Sequence, residues 1–452
     1  MLVLEILGVR LLAPYVGLTL QTTTAIIGAV LAGIAAGAAL GGRAADLTDP
    51  RRLLAWLLAG GGILALLTVP VVRALGPALR GSGDAGALVV TFAALLPPAA
   101  VLSAVTPTLA RLQLRDLGSS GTVVGRLSAW ATAGALAGTF VTGFVLVPRL
   151  PVTASVIAVG VVVVAAGLLV GLRGAVLGAT GAAIVVAAAL AAGTLTAVAS
   201  PPCDVESAYH CVRIDRDPER ASGRVLVLDD LRHSYVDLAD PGHLEFDYTR
   251  WIADAVDGSA PPGRPLDAVF VGGGGFTLPR WLAATRPGSR SRVLEVDGDL
   301  VDVARERLAL RTSPALRVQE GDARMTMRDR PPGSADVVVG DAFGGRAVPW
   351  HLATREWAEE VRRVLRPGGV YALNVIDQGG LRLMRAEAAT LLDVFADVRL
   401  VAKPGLAGGN LVLVASGRRL PAPVGSRARG ARTHGRAAVA RLAAGSDPLT
   451  DD

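Results

Sequence analysis

Cysteine and charge are the scarcest features of this 452-residue sequence, and each scarcity excludes a class of protein. Only two cysteines occur, Cys203 and Cys211, which excludes a zinc site built from several cysteines. The five histidines have no ligand-like spacing, so we expect no bound metal. The net charge is +6, but the basic segment after residue 416 contains no aromatic residues, and we expect no nucleic-acid partner.

Charge is nearly missing from residues 1–202, whereas the rest of the chain has the composition of a soluble protein. The opening segment, MLVLEILGVRLLAPYVG, is apolar apart from Glu5 and Arg10, and no basic stretch precedes it as in a signal peptide. We predict a multi-pass protein of the cell membrane, embedded in the lipid bilayer by about seven spans, the first ending near Pro14. The uncharged runs long enough to span are residues 11–42, 53–72, 85–110, 127–148, 150–172 and 174–203.

Glycines recur at every fourth position in two of these runs. Gly33, Gly37 and Gly41 lie in the second span, and Gly134 and Gly138 lie in the fifth. Glycine at this spacing lets helices approach closely in lipid, so we predict close helix packing there. No series of acidic residues or histidines lies within the spans, which argues against an ion pathway and against a transporter.

The arginines of the short loops predict the orientation of the spans. Seven arginines lie in the loops after the second, fourth and sixth spans, and three lie in the opposite loops. Because cytoplasmic loops are enriched in basic residues, seven spans would put the chain after the last span on the outer side. The alternative is that the count of spans is off by one. Cys203 and Cys211 follow that span directly and could form a disulfide bond there, with two free thiols as the alternative.

The chain after residue 202 has the pattern of a small β layer followed by an α/β domain. Residues 203–260 hold hairpin-like alternation and then a helix-like segment at 244–258. Strand-like and helix-like segments alternate through residues 261–416, which predicts a Rossmann-like sheet. The basic tail, residues 417–452, is expected to be mostly disordered, with a short helix at 436–444.

A glycine run lies in the first turn of the α/β domain. It follows the strand-like segment DAVFV and precedes the helix-like segment LPRWLAAT. This order is typical of a loop that brings the backbone close to a nucleotide and points a helix N-terminus at it. The run consists of Gly272, Gly273, Gly274 and Gly275.

Acidic residues end the next three strands. Glu295 lies about twenty residues after the glycines, where a carboxylate can accept both hydroxyls of a ribose. Asp322 ends the third strand and could accept from an adenine amino group, and Asp341 ends the fourth. Ligands bind at this edge of open α/β sheets. The structural alternatives are a plain strand-end acid, a turn former and a helix N-cap, respectively.

At these residues the sequence resembles the polyamine synthase (spermidine synthase) family, and more closely its membrane-fused bacterial branch. The resemblance is carried by GGGGFTLPR, VLEVD, GDAR and GDAF in order, and by EILGVRLLAPYVG and GAALGGRAADL in the first half. It implies a small β domain followed by a seven-stranded Rossmann-like sheet of the class I methyltransferase type. It also implies that S-adenosylmethionine, or its decarboxylated form, lies over the glycine run.

The same resemblance implies a role for each candidate residue. Glu295 would hold the ribose, and Asp322 with the adjacent Ala323 would hold the adenine. Asp341 matches the family's general base, which accepts a proton from the attacking amine. The residues expected around the acceptor are His210, His233, Tyr248 and Arg250.

Several positions depart from the family pattern. Gly275 stands where the family has an acid, and Gly344 stands where it has a second acid after the base. Thr249 and Arg250 stand where the family has Gln and Glu. The loss of acids and the gain of an arginine disfavour a dicationic acceptor such as putrescine, so the cofactor side is retained and the acceptor side is changed.

These observations predict a membrane-anchored transferase with Asp341 as its base. It would move an aminopropyl or methyl group from an adenosyl sulfonium to a small amine or another nucleophile. The alternatives are a non-catalytic S-adenosylmethionine-binding module and a methyltransferase acting on a substrate other than a polyamine. A homodimer is left open.

Overall fold

The computed structural model describes residues 1–80, 82–114, 120–345, 348–377, 380–406, 408–420 and 430–452. The chain divides into two compact units. The first unit consists of Met1–Arg213 and Leu228–Asp230, and the second consists of Ile214–Val227 and Leu231–Asp452. The first is the apolar, largely helical half, and the second is the α/β half.

Nine α-helices make up most of the described part of the first unit, and their termini follow local sequence signals. Helix α3 begins where Asp49 accepts a hydrogen bond from the amide of Arg51 and Pro50 occupies the first turn. A short π-helical turn, Thr142–Leu146, separates α6 from α7. The helices are α1 (Leu2–Val16), α2 (Leu20–Leu47), α3 (Pro50–Leu79), α4 (Gly83–Ser103), α5 (Val105–Gln113), α6 (Ser120–Val141), α7 (Val147–Arg149), α8 (Val152–Arg173) and α9 (Ala179–Val198).

Helix α1, predicted to be the first of seven spans, differs from the others in length. It has 15 residues, which at 1.5 Å per residue is roughly 22 Å and shorter than a hydrocarbon core of about 30 Å. The predicted side of the C-terminal half depends on the loops between the later helices, so a shorter α1 leaves it unchanged. Among the described residues, six segments are long and apolar enough to span a membrane: Leu20–Leu47, Pro50–Leu79, Gly83–Gln113, Ser120–Arg149, Val152–Arg173 and Ala179–Val198.

The glycines of α2 pack closely against another helix, as the sequence predicts. A Cβ atom added at Gly33, Gly37 or Gly41 would clash with Ala99, Ala100 or Ala104, at the end of α4. The two helices therefore approach at backbone distance. In α6 the two predicted glycines differ: a Cβ atom at Gly138 would lie 3.2 Å from Cγ2 of Val3 in α1, whereas one at Gly134 would have no described atom within 4 Å.

The segment after α9 is held by a disulfide bond between Cys203 and Cys211. Strand β1 (Val205–Glu206) pairs antiparallel with the beginning of β2 (Cys211–Arg216). Glu206 accepts a hydrogen bond from Arg73 of α3 at 3.2 Å. The disulfide decides between the two alternatives that the spacing of the cysteines left open.

A four-stranded sheet and a helix form the small β layer predicted for residues 203–260. The strand order is β1-β2-β3-β4, with β3 at Gly223–Leu228 and β4 at Leu231–Asp237. Helix α10 (Asp247–Gly258) buries Trp251 and Ile252 in a core shared with the main sheet of the second unit.

The second unit is built on an eight-stranded sheet in the residues that the structure describes. Alternate residues of each central strand face opposite layers: Val269 and Val271 pack with α14 and α15, whereas Ala268 and Phe270 pack with α10 and α11. The strands are β5 (Asp267–Val271), β6 (Arg290–Glu295), β7 (Leu316–Glu320), β8 (Ala335–Gly340), β9 (Leu365–Asp377), β10 (Asp397–Ala402), β11 (Gly409–Ser416) and β12 (Arg432–His434). The helices are α11 (Thr277–Thr285), α12 (Gly298–Arg307), α13 (Ala323–Arg328), α14 (Arg355–Val364), α15 (Arg382–Val394) and α16 (Arg436–Ala443).

The strand order β12-β10-β11-β9-β8-β5-β6-β7 creates a switch point in the sheet. Strands β7, β6, β5, β8 and β9 run parallel, while β11, β10 and β12 pair antiparallel. The chain moves outward from β5 in one direction to β6 and β7, and then returns to β8 on the other side. Ligands of open α/β sheets bind at the carboxyl ends of the strands at such a point.

The C-terminal tail differs from the mostly disordered segment that its composition predicts. Strand β12 pairs with β10, and α16 occupies the place of the short helix expected at 436–444. Val439 and Ala443, four residues apart on one helix face, are buried in the core beside α15. Part of the predicted tail, residues 421–429, lies outside the described residues.

Candidate active site

The glycine run lies against the carboxyl end of β8. Gly272 has a φ of +95°, which residues with a side chain rarely adopt. A Cβ atom there would lie 2.5 Å from the carbonyl oxygen of Asp341. The amide of Asp341 donates to the carbonyl oxygen of Val271 at 2.9 Å. The loop after β5 and the loop after β8 are therefore held together at the switch point, and glycine is required where they touch.

Glu295, at the end of β6, holds the glycine run from the other side. One carboxylate oxygen accepts from the amide of Gly273 at 2.6 Å, and the other accepts from the amide of Asp297 at 2.9 Å. Burial raises the pKa of Glu295, while these hydrogen bonds act to lower it. A carboxylate has about four acceptor positions, so Glu295 keeps room for a ribose hydroxyl beside its backbone donors, and this contact stays a prediction.

Asp322 follows β7, the neighbour of β6, and caps α13. Its carboxylate accepts from the amide of Arg324 at 2.7 Å and lies 3.0 Å from Nε2 of His351. Ala323 is the first residue of that helix and is buried. Glu295 and Asp322 therefore lie in succession along one edge of the sheet. Asp322 has a structural role as a helix cap, and its contact with adenine stays a prediction.

Asp341 lies on the opposite side of the glycine run from Glu295 and is held by two hydrogen bonds. Its Oδ1 accepts from Nδ2 of Asn374 at 2.8 Å, and its Oδ2 accepts from the hydroxyl of Tyr248 at 3.3 Å. Desolvation raises the pKa of Asp341 to about 6, although the hydrogen bonds from Asn374 and Tyr248 act to lower it. A carboxylate with this pKa is mostly ionised at neutral pH and close to the basicity that favours general-base catalysis there.

A cavity of about 300 Å³ adjoins Asp341. Two of the four residues predicted around the acceptor, His233 and Tyr248, line it. The hydroxyl of Tyr248 also lies 3.4 Å from the carbonyl oxygen of His233, so α10 and β4 form one wall. The other lining residues are Leu231, Arg232, Ser234, Phe246, Gly273, Gly274, Phe343, Asn374, Ile376 and Asn410.

The structure places the other two predicted acceptor residues elsewhere. Arg250 donates to the carbonyl oxygen of Leu244 at 2.7 Å and pairs with Asp247 at 3.4 Å. Its guanidinium is therefore bonded at the start of its own helix and to the segment just before it. His210 belongs to the first unit, where its Nδ1 lies 3.0 Å from the carboxylate of Asp229. Their positions in the sequence did not indicate these local partners.

Two lining residues that the sequence did not single out are Asn374 and Arg232. Asn374 is buried within β9, and the signal for it was one polar residue inside the apolar run YALNVI. Arg232 precedes His233 on β4, and its guanidinium carbon lies 5.7 Å from the ring centroid of Phe246. Such an arrangement is a weak cation–π contact that favours one position of the side chain.

Gly275, which stands where the family pattern has an acid, lies close to two residues of β4. A Cβ atom at Gly275 would lie 2.9 Å from Cβ of Ser234 and 2.8 Å from Cγ2 of Val236. The amide of Gly275 donates to the hydroxyl of Ser234 at 3.1 Å. An acidic side chain at this position would require β4 to move, so the glycine is consistent with the observed wall of the cavity.

No family model matches the chain. In sequence, it is 29% identical over 152 residues to the polyamine aminopropyltransferase of Vibrio vulnificus (strain CMCP6), covering 33% of this chain and 50% of the relative. It is 26% identical over 183 residues to the polyamine aminopropyltransferase of Chromobacterium violaceum, covering 40% of this chain and 67% of that relative. This chain therefore spans only half the length of the Vibrio vulnificus protein.

Among solved structures, the chain is similar to a probable spermidine synthase from Corynebacterium glutamicum ATCC 13032. The TM-score is 0.50 at 28% identity, and the match covers 55% of this chain and 95% of the other. Nearly all of that protein thus corresponds to a little more than half of this one.

Proposed function

We propose that the protein is a membrane-anchored transferase, because the chain is similar in sequence to polyamine aminopropyltransferases and its second unit has a class I methyltransferase-like fold. It would move an aminopropyl or methyl group from an adenosyl sulfonium to an amine. The observation that carries the proposal is the ionisable carboxylate of Asp341, which lies beside the glycine run and opens onto a cavity.

The residues that would hold the donor are the glycine run, Glu295 and Asp322. The donor would supply a carbon bonded to a positively charged sulfur, which is open to nucleophilic attack. Gly272 lets the backbone turn tightly beside it, and Glu295 keeps the loop in place through the amide of Gly273. These residues bind and orient, and none of them needs to gain or lose a proton.

Asp341 would act on the nucleophile. Only a neutral amine has a free electron pair for attack. As the new carbon–nitrogen bond forms, the carbon–sulfur bond breaks, the sulfur leaves as a neutral thioether, and the nitrogen becomes positive. A carboxylate within hydrogen-bond reach can accept the proton that is released and stabilise the developing charge. Tyr248 and Asn374 hold that carboxylate between them, at 3.3 and 2.8 Å, so its position is defined before the acceptor arrives.

The six long apolar helices of the first unit support anchoring in a membrane. The excess of arginines in alternate loops and the bond between Cys203 and Cys211 both favour an oxidising, outer location for the segment that follows α9. A reporter fused after Asp452 tests this side. Activity only outside the cytoplasm is expected, and activity only inside would reverse the assignment.

The donor is the first point to test. Full-length protein in detergent micelles, titrated calorimetrically with S-adenosylmethionine and with its decarboxylated form, is expected to bind at least one of them. Failure to bind either would remove the basis of the proposal. Donor binding with no transfer to any amine by the wild-type protein would instead identify a non-catalytic binding module.

A further inference from the structure

We propose that the acceptor is a primary amine whose far end carries a negative charge instead of a second ammonium group. In this proposal, Asn374 positions the amine and Arg232 binds the anionic end. The inference rests on the transferase function proposed above and goes beyond it by naming the chemical class of the acceptor. It follows from the hydrogen-bonding capacity and the charges of the cavity beside Asp341.

Asn374 has one hydrogen bond too few for a buried amide. Its side chain is 2% exposed and lines the cavity. Its Nδ2 donates to Asp341, but its Oδ1 has no hydrogen-bond partner among the described residues. The reverse orientation of the amide would place two acceptor oxygens together, so an ionised Asp341 fixes the orientation with Oδ1 unpaired. A buried acceptor without a partner is costly, and a ligand in this cavity could supply the missing donor.

A primary amine has the number of hydrogens that this pair requires. When a neutral primary amine attacks through its electron pair, two N–H groups remain. Asp341 can accept one of them, and Oδ1 of Asn374 can accept the other. A hydroxyl or a thiol has one hydrogen and would leave one acceptor unpaired, and sites built around a particular donor discriminate strongly against analogues that lack it. The pair therefore favours a nitrogen nucleophile and aligns its electron pair.

The charges of the cavity disfavour a second ammonium group. Of the described residues that line it, one carboxylate, Asp341, and one guanidinium, Arg232, carry charge, and His233 is the imidazole among them. Arg232 is exposed, which puts it at the open side of the cavity. A diamine held at Asp341 would direct its second cation toward this arginine. A carboxylate or phosphate would meet a guanidinium suited to bind it.

Two other acids in this region, Asp217 and Glu245, each have a side-chain partner. Asp217, which interacts electrostatically with Arg232, accepts the hydroxyl of Tyr235 at 2.6 Å. Glu245 lines a smaller neighbouring space and lies 3.0 Å from Nε2 of His243. Neither Asp217 nor Glu245 is among the residues that line the cavity, so neither carboxylate faces a second ammonium group there. Phe343 and Ile376 add apolar walls, which suit the methylene chain between the two ends of the acceptor.

Binding of matched acceptors tests the class directly. The probes are 4-aminobutyrate, 1,4-diaminobutane and butylamine, titrated into full-length protein saturated with whichever adenosyl sulfonium binds. We expect 4-aminobutyrate to bind about tenfold or more tightly than the diamine, with butylamine between them. Equal or tighter binding of the diamine would overturn the proposal, as would failure of all three to bind. Failure of the donor titration is a separate result and counts against the transferase function itself.

Charge reversal at the cavity mouth provides the matched comparison. Arg232→Glu is expected to invert the preference, so that 1,4-diaminobutane binds at least as tightly as 4-aminobutyrate. Arg317→Glu, on the exposed edge strand β7, makes the same charge change away from the cavity and should leave the ratio within about twofold. An unchanged ratio in Arg232→Glu, or an equal shift in both variants, would contradict a role for Arg232.

The role of Asn374 is tested by Asn374→Leu. We expect all three amines to bind about 10- to 100-fold more weakly, while the donor affinity stays within about threefold. Loss of the hydrogen bond to Asp341 should also move the acid limb of the activity profile to higher pH, an effect that a purely structural substitution would not produce. Donor binding shows that the variant is folded, and unchanged amine binding in such a protein would refute the assignment.

Discussion

The proposed active site has a donor side and an acceptor side, and the two differ in how their residues are distributed along the chain. The donor side is built from residues at the ends of consecutive strands, with Gly272–Gly275 after β5, Glu295 at the end of β6 and Asp322 after β7. The acceptor side collects residues from β4, α10, the end of β8 and the middle of β9. The donor side therefore lies mainly on the sheet edge, with one hydrogen bond from Gly275 to Ser234 of β4, whereas the acceptor side depends more on how β4 and α10 pack onto that edge.

This difference indicates that the acceptor side can change by substitution more easily than the donor side, without a change of fold. A parallel sheet fixes the spacing of its strand ends, so a donor held there constrains the glycines and the acids together. Arg232 and Ser234 lie on a separate small sheet, and Asn374 is a single position in a long strand. Each of them can be replaced at little cost to the main sheet, and Gly275, one of the departures from the family pattern, lies against Ser234 of this wall.

Among the variants, Asp341→Asn is expected to give the largest difference between its effect on transfer and its effect on donor binding. The amide cannot accept a proton as a base, so transfer should fall by about 100- to 10,000-fold. Donor affinity should change by less than about threefold, because Glu295 and the glycine loop are untouched. Steady-state transfer and calorimetry of the same preparation measure the two quantities.

The matched control for this variant is Asp329→Asn, which removes an exposed carboxylate outside the cavity and should leave transfer near wild type. Retention of more than about a tenth of the activity in Asp341→Asn would mean that another group is the base. A parallel loss of donor binding would mean that the two sides are not separable.

The reciprocal result is expected from Glu295→Gln. A glutamine keeps one acceptor oxygen, so the hydrogen bond from the amide of Gly273 or from that of Asp297 is lost and replaced by a clash of donors. Donor affinity should fall by about 10- to 100-fold. Glu306→Gln, an exposed position of α12, is the control. Weakened amine binding with normal donor binding would reverse the assignment of the two sides.

The sequence predicts the strands and the sheet edge of the proposed donor side well because its signals are contiguous. The alternation of DAVFV, VLE and DVVV with amphipathic segments indicates the parallel strands, and the order of the glycines and acids places them on one edge. Helix α16 was also indicated by its spacing. The sequence does not indicate that this helix packs against α15. Only two of its residues, Val439 and Ala443, are buried, and the surrounding composition is basic.

The acceptor side could be predicted only in part, for a physical reason. Tyr248 and His233 reach the cavity through the packing of α10 and β4, a tertiary arrangement that no local period encodes. His210 and Arg250 have equally plausible residue types, but Asp229 and the carbonyl of Leu244 engage them locally. Asn374 is the informative exception, since an amide inside an apolar strand must find polar partners when it is buried.

A smaller effect on the acceptor side is expected from Tyr248→Phe. The wild-type profile should lose activity as the pH falls through about 6, because protonated Asp341 cannot act as a base. The hydroxyl of Tyr248 lowers the pKa of that carboxyl, so its removal should raise the pKa and move the midpoint upward by a fraction of a unit. Transfer rates measured from pH 5 to 9 test the shift, and a downward movement would show that Tyr248 does not donate to Asp341.

The smallest effect on donor and acceptor binding is expected from Glu387→Gln, although the pKa of Glu387 is raised further than that of Asp341. Glu387 is 1% exposed in α15, and desolvation raises its pKa to about 8. Because the folded-state pKa is above the unfolded one, its carboxyl is tolerated at low pH and stability is lost as the pH rises through about 8. The glutamine variant should therefore melt higher than wild type at pH 9, by roughly 5 °C, and almost equally at pH 5.

Donor and amine affinities should be unchanged in Glu387→Gln, since the residue lines neither the glycine run nor the described cavity. Burial alone raises the pKa of Glu387, whereas the buried Asp341 also accepts two hydrogen bonds and adjoins a cavity. A loss of transfer in this variant, without a loss of stability, would mean that the core behind β9 is coupled to Asn374. The boundary between the acceptor side and the rest of the sheet would then have to include α15.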